Sequence, residues 1–158
     1  MVALQGLYEL DAQRSPADAD VSAVLGLWLA EADLQGEPAD YARQLLAGAW
    51  AHHERYDQMI AGASDHWDVA RMAVVDRNIL RLGLYELIER PDVPARVVID
   101  EAIELGRTFG SAETTQFVNG VLDAIWKRDP ACQAGRTARE TLAHPTAAVR
   151  NESNHGTV

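Results

Sequence analysis

A helix with apolar residues on nearly all sides constrains this sequence more than any other feature. Between Val74 and Arg90 the apolar positions are 74, 75, 79, 80, 82, 84, 85, 87 and 88, which at about 100° per residue point around most of the helix. Such a helix must be surrounded by other helices. Residues 98–109 carry apolar side chains on one face only, and Pro91 and Pro94 bracket the turn between the two segments. Because proline ends one helix and suits the start of another, the pattern predicts a central helix and an antiparallel covering helix.

Four other segments carry apolar residues at helical spacing, and no segment alternates convincingly at the period of two that is typical of strands. They are residues 2–13, a segment from Ser15-Pro16 to Gly36 and Pro38, residues 39–61 with a bend at Gly48, and residues 112–127. A short turn at Ser64-Asp65-His66-Trp67 leads into the central helix. We therefore expect one all-α domain over residues 1–130. Residues 131–158 have few large apolar side chains and no period, which predicts a disordered polar C-terminal tail.

Composition narrows the classes of protein to which the chain can belong. No run approaches the roughly 20 apolar residues that span a bilayer, and the start lacks the features of a secretory peptide. A single cysteine, Cys132, rules out a disulfide within the chain, so we expect a cytoplasmic protein. The formal net charge is −10. Because phosphate neutralisation supplies most non-specific binding to nucleic acid, an RNA-binding role would require a local basic patch or a basic partner.

Motifs for catalysis or metal binding are weak. His52 and His53 are adjacent, whereas two metal ligands on one helix face need a spacing of three or four residues. Asp100, Glu104 and Arg107 follow one face of the covering helix, which is typical of a solvated surface. There is no glycine-rich phosphate loop and no Gly-x-Ser-x-Gly. We expect no catalytic residue, metal or cofactor.

Two polar features of the predicted helices need an explanation. Arg81 lies on the central helix among apolar residues, and a buried charge needs a partner. We expect a structural ion pair between Arg81 and Glu101 of the covering helix. Asn119 and Gly120 are poor helix formers inside the last apolar stripe. They indicate either close packing at Gly120 with a specific hydrogen bond from Asn119, or an exposed recognition surface near the helix start.

Taken together, these segments resemble transcription antitermination factors of the NusB family. The resemblance is strong over about residues 67–125 and weaker but consistent over residues 3–46, while the tail is not covered. The residues that carry it are Trp67, Asp76-Arg77, Ile79-Leu80-Arg81, Tyr85-Glu86-Leu87, Asp92-Val93-Pro94, Asp100-Glu101-Ala102-Ile103-Glu104-Leu105, and Phe117-Val118-Asn119-Gly120-Val121-Leu122-Asp123. At the start of the chain, Ala3-Leu4-Gln5-Gly6-Leu7-Tyr8 looks like the first helix of the family.

The resemblance implies a bundle of about six to seven helices in two small helical subdomains. It also implies a non-enzymatic factor that binds boxA of nascent ribosomal RNA together with ribosomal protein NusE. Such a factor joins the RNA polymerase antitermination complex and helps the polymerase pass terminators. Carried over by position, the RNA-binding residues are Tyr8, Arg107, Gln116, Phe117 and Asn119. The partner-binding residues are Asp76 and Arg77.

One departure from the family and two alternatives bear on this expectation. Family members usually begin with an arginine-rich segment that contacts RNA, whereas the first basic residue here is Arg14. This fits either a segment missing upstream of Met1 or a chain that begins at Met1 and lacks this RNA contact. One alternative is a helical scaffold with this fold that does not bind RNA. The other is an accessory domain like that of ribosomal RNA cytosine methyltransferases, which would require a downstream catalytic domain.

Overall fold

The computed structural model describes residues 1–64 and 68–143. In these ranges the chain forms eight α-helices, one short 3-10 helix and no strand, which confirms the all-α prediction and slightly exceeds the expected number of helices. Trp67 and residues 144–158 lie outside the described residues. The elements are α1 (Val2–Ala12), α2 (Ser22–Glu31), α3 (Gly36–Ala51), α4 (His53–Ala63), the 3-10 helix (Val69–Arg71), α5 (Val74–Glu89), α6 (Ala95–Phe109), α7 (Thr114–Arg128) and α8 (Pro130–Ala143).

Helix α5 is the central helix, as its sequence predicts. Ile79, Leu80, Leu84 and Leu87 are fully buried, and α5 packs against α1, α3, α4, α6, α7 and α8. Helices α1, α2 and α3 also contact one another, while α7 contacts α4, α6 and α8. The hydrophobic core therefore forms around α5, and α7 lies beside it with its start and outer face near the surface.

Three predicted helix boundaries are wrong. The second helix begins at Ser22, where the Asp20 carboxylate accepts the backbone N–H at 2.9 Å, and not at Ser15-Pro16. Pro16 instead starts a turn, and its carbonyl accepts a hydrogen bond from the Trp50 indole at 2.8 Å. The predicted helix over residues 39–61 is two helices, α3 and α4, that meet at His52. Pro38 lies in the first turn of α3, where proline is tolerated, and does not end α2.

Arg81 is a buried, paired charge, but the predicted partner is wrong. Its guanidinium forms two hydrogen bonds with Asp57 of α4, at 2.8 and 2.7 Å, and one with Asp11 of α1 at 3.1 Å. Asn78 accepts a further hydrogen bond from Arg81 at 2.9 Å. Glu101 is exposed on α6. The acids that satisfy Arg81 come from α4 and α1, and these ion pairs link both helices to α5.

Residues 130–143 form helix α8, where a disordered polar tail was predicted from residue 131; the remainder of that predicted tail, residues 144–158, lies outside the described residues. Helix α8 starts where the Asp129 carboxylate caps the Ala131 N–H at 2.9 Å, and Cys132 is buried. Arg139 lies 5.0 Å from the ring centroid of Trp126. Its guanidinium donates hydrogen bonds of 2.7–3.1 Å to four backbone carbonyls at the end of α5 and in the following turn, namely those of Glu86, Leu87, Arg90 and Val93. These contacts attach α8 to the core.

Candidate nucleic-acid interface

Thr114 fixes the turn between α6 and α7 to the start of the central helix. It is buried, and its hydroxyl donates a hydrogen bond to Asp76 Oδ1 at 2.8 Å. The hydroxyl oxygen of Thr114 in turn accepts the backbone N–H of Ser111 at 2.9 Å. One side chain therefore joins the end of α6, the start of α7 and the start of α5, and it sets the position of the first turn of α7.

Two glycines make room for Thr114. A Cβ atom on Gly110 would lie 2.4 Å from the Thr114 hydroxyl oxygen, and one on Gly106 would lie 3.0 Å from its methyl group. Gly110 follows the last residue of α6, and its N–H bonds the Gly106 carbonyl at 2.9 Å. Its backbone is extended rather than left-handed. This glycine is therefore explained by the close approach of Thr114 and not by a positive φ angle.

The polar residues predicted to contact RNA are on the surface. Gln116 and Asn119 are exposed on α7, and Tyr8 on α1 is half-exposed. Arg107, near the end of α6, is exposed and forms an ion pair with Glu104 one turn earlier. Phe117 is half-buried and packs against the hydrophobic core.

A cavity of about 630 Å³ lies beside the first turn of α7, and we call it the α7-start cavity. It brings together Gln116, Phe117 and Asp76, so one predicted partner residue and two predicted RNA-binding residues share one site. Tyr8, Arg107 and Asn119 do not line it. The complete lining is Arg71, Met72, Ala73, Asp76, Ser111, Glu113, Gln116 and Phe117.

Arg77 has a structural role in this fold. Its guanidinium donates two hydrogen bonds to Asp11, at 2.7 and 3.0 Å, and one to the Val69 carbonyl at 2.9 Å. Its side chain is only 12% exposed, so little of it is accessible to a partner protein. Asp76 is half-buried and already accepts the Thr114 hydroxyl. Of the two predicted partner-binding residues, only Asp76 lines the α7-start cavity.

The structure decides between the two interpretations of Asn119-Gly120. Both residues are exposed, and a Cβ atom built on Gly120 would have no neighbour within 4 Å. Within the described residues no helix packs closely against Gly120, which contradicts the packing interpretation. An asparagine and a glycine that lower helix propensity without any gain in packing fit an exposed surface.

Within residues 1–64 and 68–143, no three His, Cys, Asp or Glu side chains are grouped so that they could hold a metal ion. His53 instead stacks on Trp50 with 3.9 Å between the ring centroids. Over the same ranges, none of the helices combines the length and apolar character needed to cross a bilayer.

Comparison with known proteins decides the family. The profile of the NusB family matches residues 1–127. This chain belongs to the NusB family. The transcription antitermination protein NusB of Myxococcus xanthus is 43% identical over 127 residues, which are 78% of this chain and 88% of that protein. The protein of the same name from Symbiobacterium thermophilum is 40% identical over 129 residues, which are 78% of this chain and 84% of that protein.

Solved NusB structures have the same fold. The structure of T. maritima NusB superposes with a TM-score of 0.75 at 32% identity, over 86% of this chain and 92% of that one. A chain from the crystal structure of antitermination factors NusB and NusE in complex with dsRNA gives a TM-score of 0.69 at 29% identity, over 80% and 91% of the two chains. Helix α8 begins at residue 130, after the matched part of the family profile.

Two residues at this surface were missed from the sequence. The close contact of Thr114 with the end of α6 could have been inferred. Gly106 in the last turn of α6 and Gly110 just after it leave space for a side chain from the next helix. Arg71 lies on the 3-10 helix at the edge of the α7-start cavity, with a side chain that is 89% exposed. Nothing in the apolar pattern indicates that this loop position meets α7.

Proposed function

We propose that this chain is a transcription antitermination factor that binds boxA of nascent ribosomal RNA together with NusE and thereby helps RNA polymerase read through terminators. The observation that carries the proposal is membership of the NusB family over residues 1–127, with relatives that are named as transcription antitermination proteins. The proposed role is binding and not catalysis, and it requires no cofactor. It is exercised where nascent RNA is made, which in bacteria is the cytoplasm.

In this proposal the RNA contacts the surface around the start of α7. Gln116 and Asn119 offer exposed amides that can bond the edges of unpaired bases, and Arg107 can reach a phosphate. Phe117 lines the adjacent cavity and offers an aromatic edge to a base. Tyr8 adds a second exposed aromatic side chain on α1. NusE lies next to the RNA and contacts Asp76 at the α7-start cavity.

The main test is a titration of single-stranded boxA RNA, in the presence of NusE, with Asn119→Ala and Arg107→Ala. For Asn119→Ala we expect a loss of about 1 kcal/mol or more in binding, roughly fivefold in Kd, because a base contact disappears. Stability should remain unchanged, since Asn119 is exposed. Arg107→Ala should lower the slope of log K against log salt by about 0.7.

Arg96→Ala is the matched control for Arg107→Ala. Arg96 is an exposed arginine on the same helix that also faces an acid one turn away, Asp100 at 3.8 Å. It should leave both affinity and salt slope unchanged. Equal effects of the two substitutions would mean that only the general charge of the protein matters, and the assigned RNA surface would be wrong.

A helical scaffold without RNA binding is the second candidate. Two observations favour it: the net charge of −10, and the ion pair that Arg107 makes with Glu104. The same titration separates the two functions, because a scaffold would bind NusE or another protein while showing no affinity for boxA RNA.

A further inference from the structure

A second cavity lies at the opposite end of α7 and contains two arginines. It has a volume of about 420 Å³ and lies between α4, the end of α7 and the start of α8. Arg55 of α4 and Arg128 of α7 line it, with Met59, Ala124 and Ile125 among the apolar residues of the wall. We call it the α7-end cavity. Its size is within the range of ligand pockets.

The two arginines have no carboxylate partner. Among the described residues, no acidic oxygen lies within 4.0 Å of either guanidinium, although the chain has 24 acidic and 14 basic residues. Asp129 also lines the cavity, but its carboxylate caps the N-terminus of α8 through the Ala131 N–H. Both guanidinium groups are therefore available to an anion, and a guanidinium can bind a phosphate through two parallel hydrogen bonds.

The α7-end cavity lies on the same face of α7 as the α7-start cavity. Phe117, Gly120, Ala124 and Arg128 follow each other at steps of three, four and four, which places them on one side of the helix. Phe117 lines the first cavity and Ala124 the second. Gly120 between them has no side chain, and the space above it is open. Along this face of α7, the two cavities are therefore separated by Gly120, which leaves the surface between them low.

We propose that Arg55 and Arg128 bind phosphates of the same RNA whose bases contact the start of α7. The proposal rests on the proposed RNA-binding function. Phe117 and Arg128 are 11 residues apart, about 16 Å along the helix axis, which corresponds to about five nucleotides at the spacing of a stacked strand. RNA is favoured over an acidic protein because the two cavities share one face, so a single strand can reach both.

The test compares two RNAs in the presence of NusE. One is the shortest boxA RNA that binds, and the other is the same RNA extended by about six nucleotides at either end. The protein is used as wild type and as Arg55→Ala/Arg128→Ala. The double substitution should leave the Kd of the short RNA unchanged and raise the Kd of the long RNA about tenfold. The slope of log K against log salt for the long RNA should fall by about 1.4, because two phosphate contacts are lost.

Two control variants accompany the double substitution. Arg43→Ala removes an exposed arginine on α3 that pairs with Asp40, and it should change neither affinity. Arg55→Lys/Arg128→Lys keeps both charges, so the salt slope for the long RNA should be close to that of the wild type. All variants are on the surface, and equal melting temperatures establish that each one is folded.

The outcomes separate this inference from the function on which it rests. If the wild type binds the short RNA and the double substitution does not weaken binding of the long RNA, the α7-end cavity is not an RNA site, while the proposed function stands. If the double substitution impairs binding of NusE and leaves RNA binding intact, the occupant is a protein and the RNA assignment is overturned. If the wild type binds neither RNA, both the inference and the proposed function fail.

Discussion

The attachment of α8 leads to a sharp prediction at Arg139. Its guanidinium bonds four carbonyls and lies against Trp126, so replacement by alanine removes every polar contact between this side chain and the end of α5. A hydrogen bond to a charged group contributes about 1.5–3 kcal/mol, but four that share one group do not add. The four hydrogen bonds are only partly buried, so water can reach some of the carbonyls in the variant. We therefore expect Arg139→Ala to lower the free energy of unfolding by about 3 kcal/mol.

Thermal and urea unfolding measure this loss. For a chain of this length, about 3 kcal/mol corresponds to a decrease of about 6–12 °C in Tm. Arg139→Lys keeps the charge but cannot reproduce the planar fork, so its Tm should lie between those of Arg139→Ala and the wild type. Arg96→Ala is the surface control, because its side chain is 92% exposed, and it should change stability by less than about 0.5 kcal/mol.

Truncation after Asp129 tests the same idea without substituting Arg139. It removes the buried Cys132 as well as the guanidinium, so it should cost at least as much stability as Arg139→Ala. If the truncated protein and Arg139→Ala both unfold like the wild type, α8 contributes nothing to folding, and the energetic argument from its carbonyl contacts is refuted.

Three further substitutions or measurements follow from the packing. Gly48→Ala should lower Tm although alanine favours helices, because its Cβ would lie 2.1 Å from the ring of Tyr85; a higher Tm would show that the ring moves at no cost. Burial raises the pKa of Glu86, which accepts the Tyr41 hydroxyl at 2.7 Å. Its protonated form is therefore favoured by folding, so Glu86→Gln should stabilise the protein at pH 7 and lose this advantage in acid, as urea unfolding at both pH values would show. Burial raises the pKa of the Cys132 thiol to about 11, so the folded protein should resist thiol reagents at pH 8, and rapid labelling would contradict its burial.

The sequence was sufficient for the central part of the fold because its signal is local. Hydrophobic periodicity is a property of consecutive residues, and it identified α5 as the helix that others surround. It could not identify the partners of Arg81, because Asp57 and Asp11 are 24 and 70 positions away in the chain. The covering helix offered a nearby acid, Glu101, but chain proximity says little about which polar groups meet around a buried helix.

Helix α8 was missed for a different reason. Its sequence has few large apolar residues, and a disordered tail is the usual consequence of such a composition. The attachment depends instead on an arginine that satisfies carbonyls at the end of another helix, together with one buried cysteine. Such contacts have no period along the chain. For the same reason the sequence placed Arg77 on a partner surface. In the structure Arg77 contacts Asp11, which gives it a structural role.

Under the proposed function, the distribution of charge determines where so acidic a chain would bind RNA. Asp11 and Asp57 pair with Arg77 and Arg81 inside the fold, so these four charges largely cancel one another and add little to the field at the RNA surface. Arg107 must leave Glu104 before it contacts a phosphate, which reduces the net gain. Arg55 and Arg128 have no such competitor among the described residues.

The electrostatic part of binding should therefore come more from the end of α7 than from its start, while base recognition comes from the start. Added salt should then weaken the binding of long RNAs more than that of short ones, because only the long RNAs reach Arg55 and Arg128. A chain with this arrangement gains affinity from a local surface and from a basic partner, and not from its overall field.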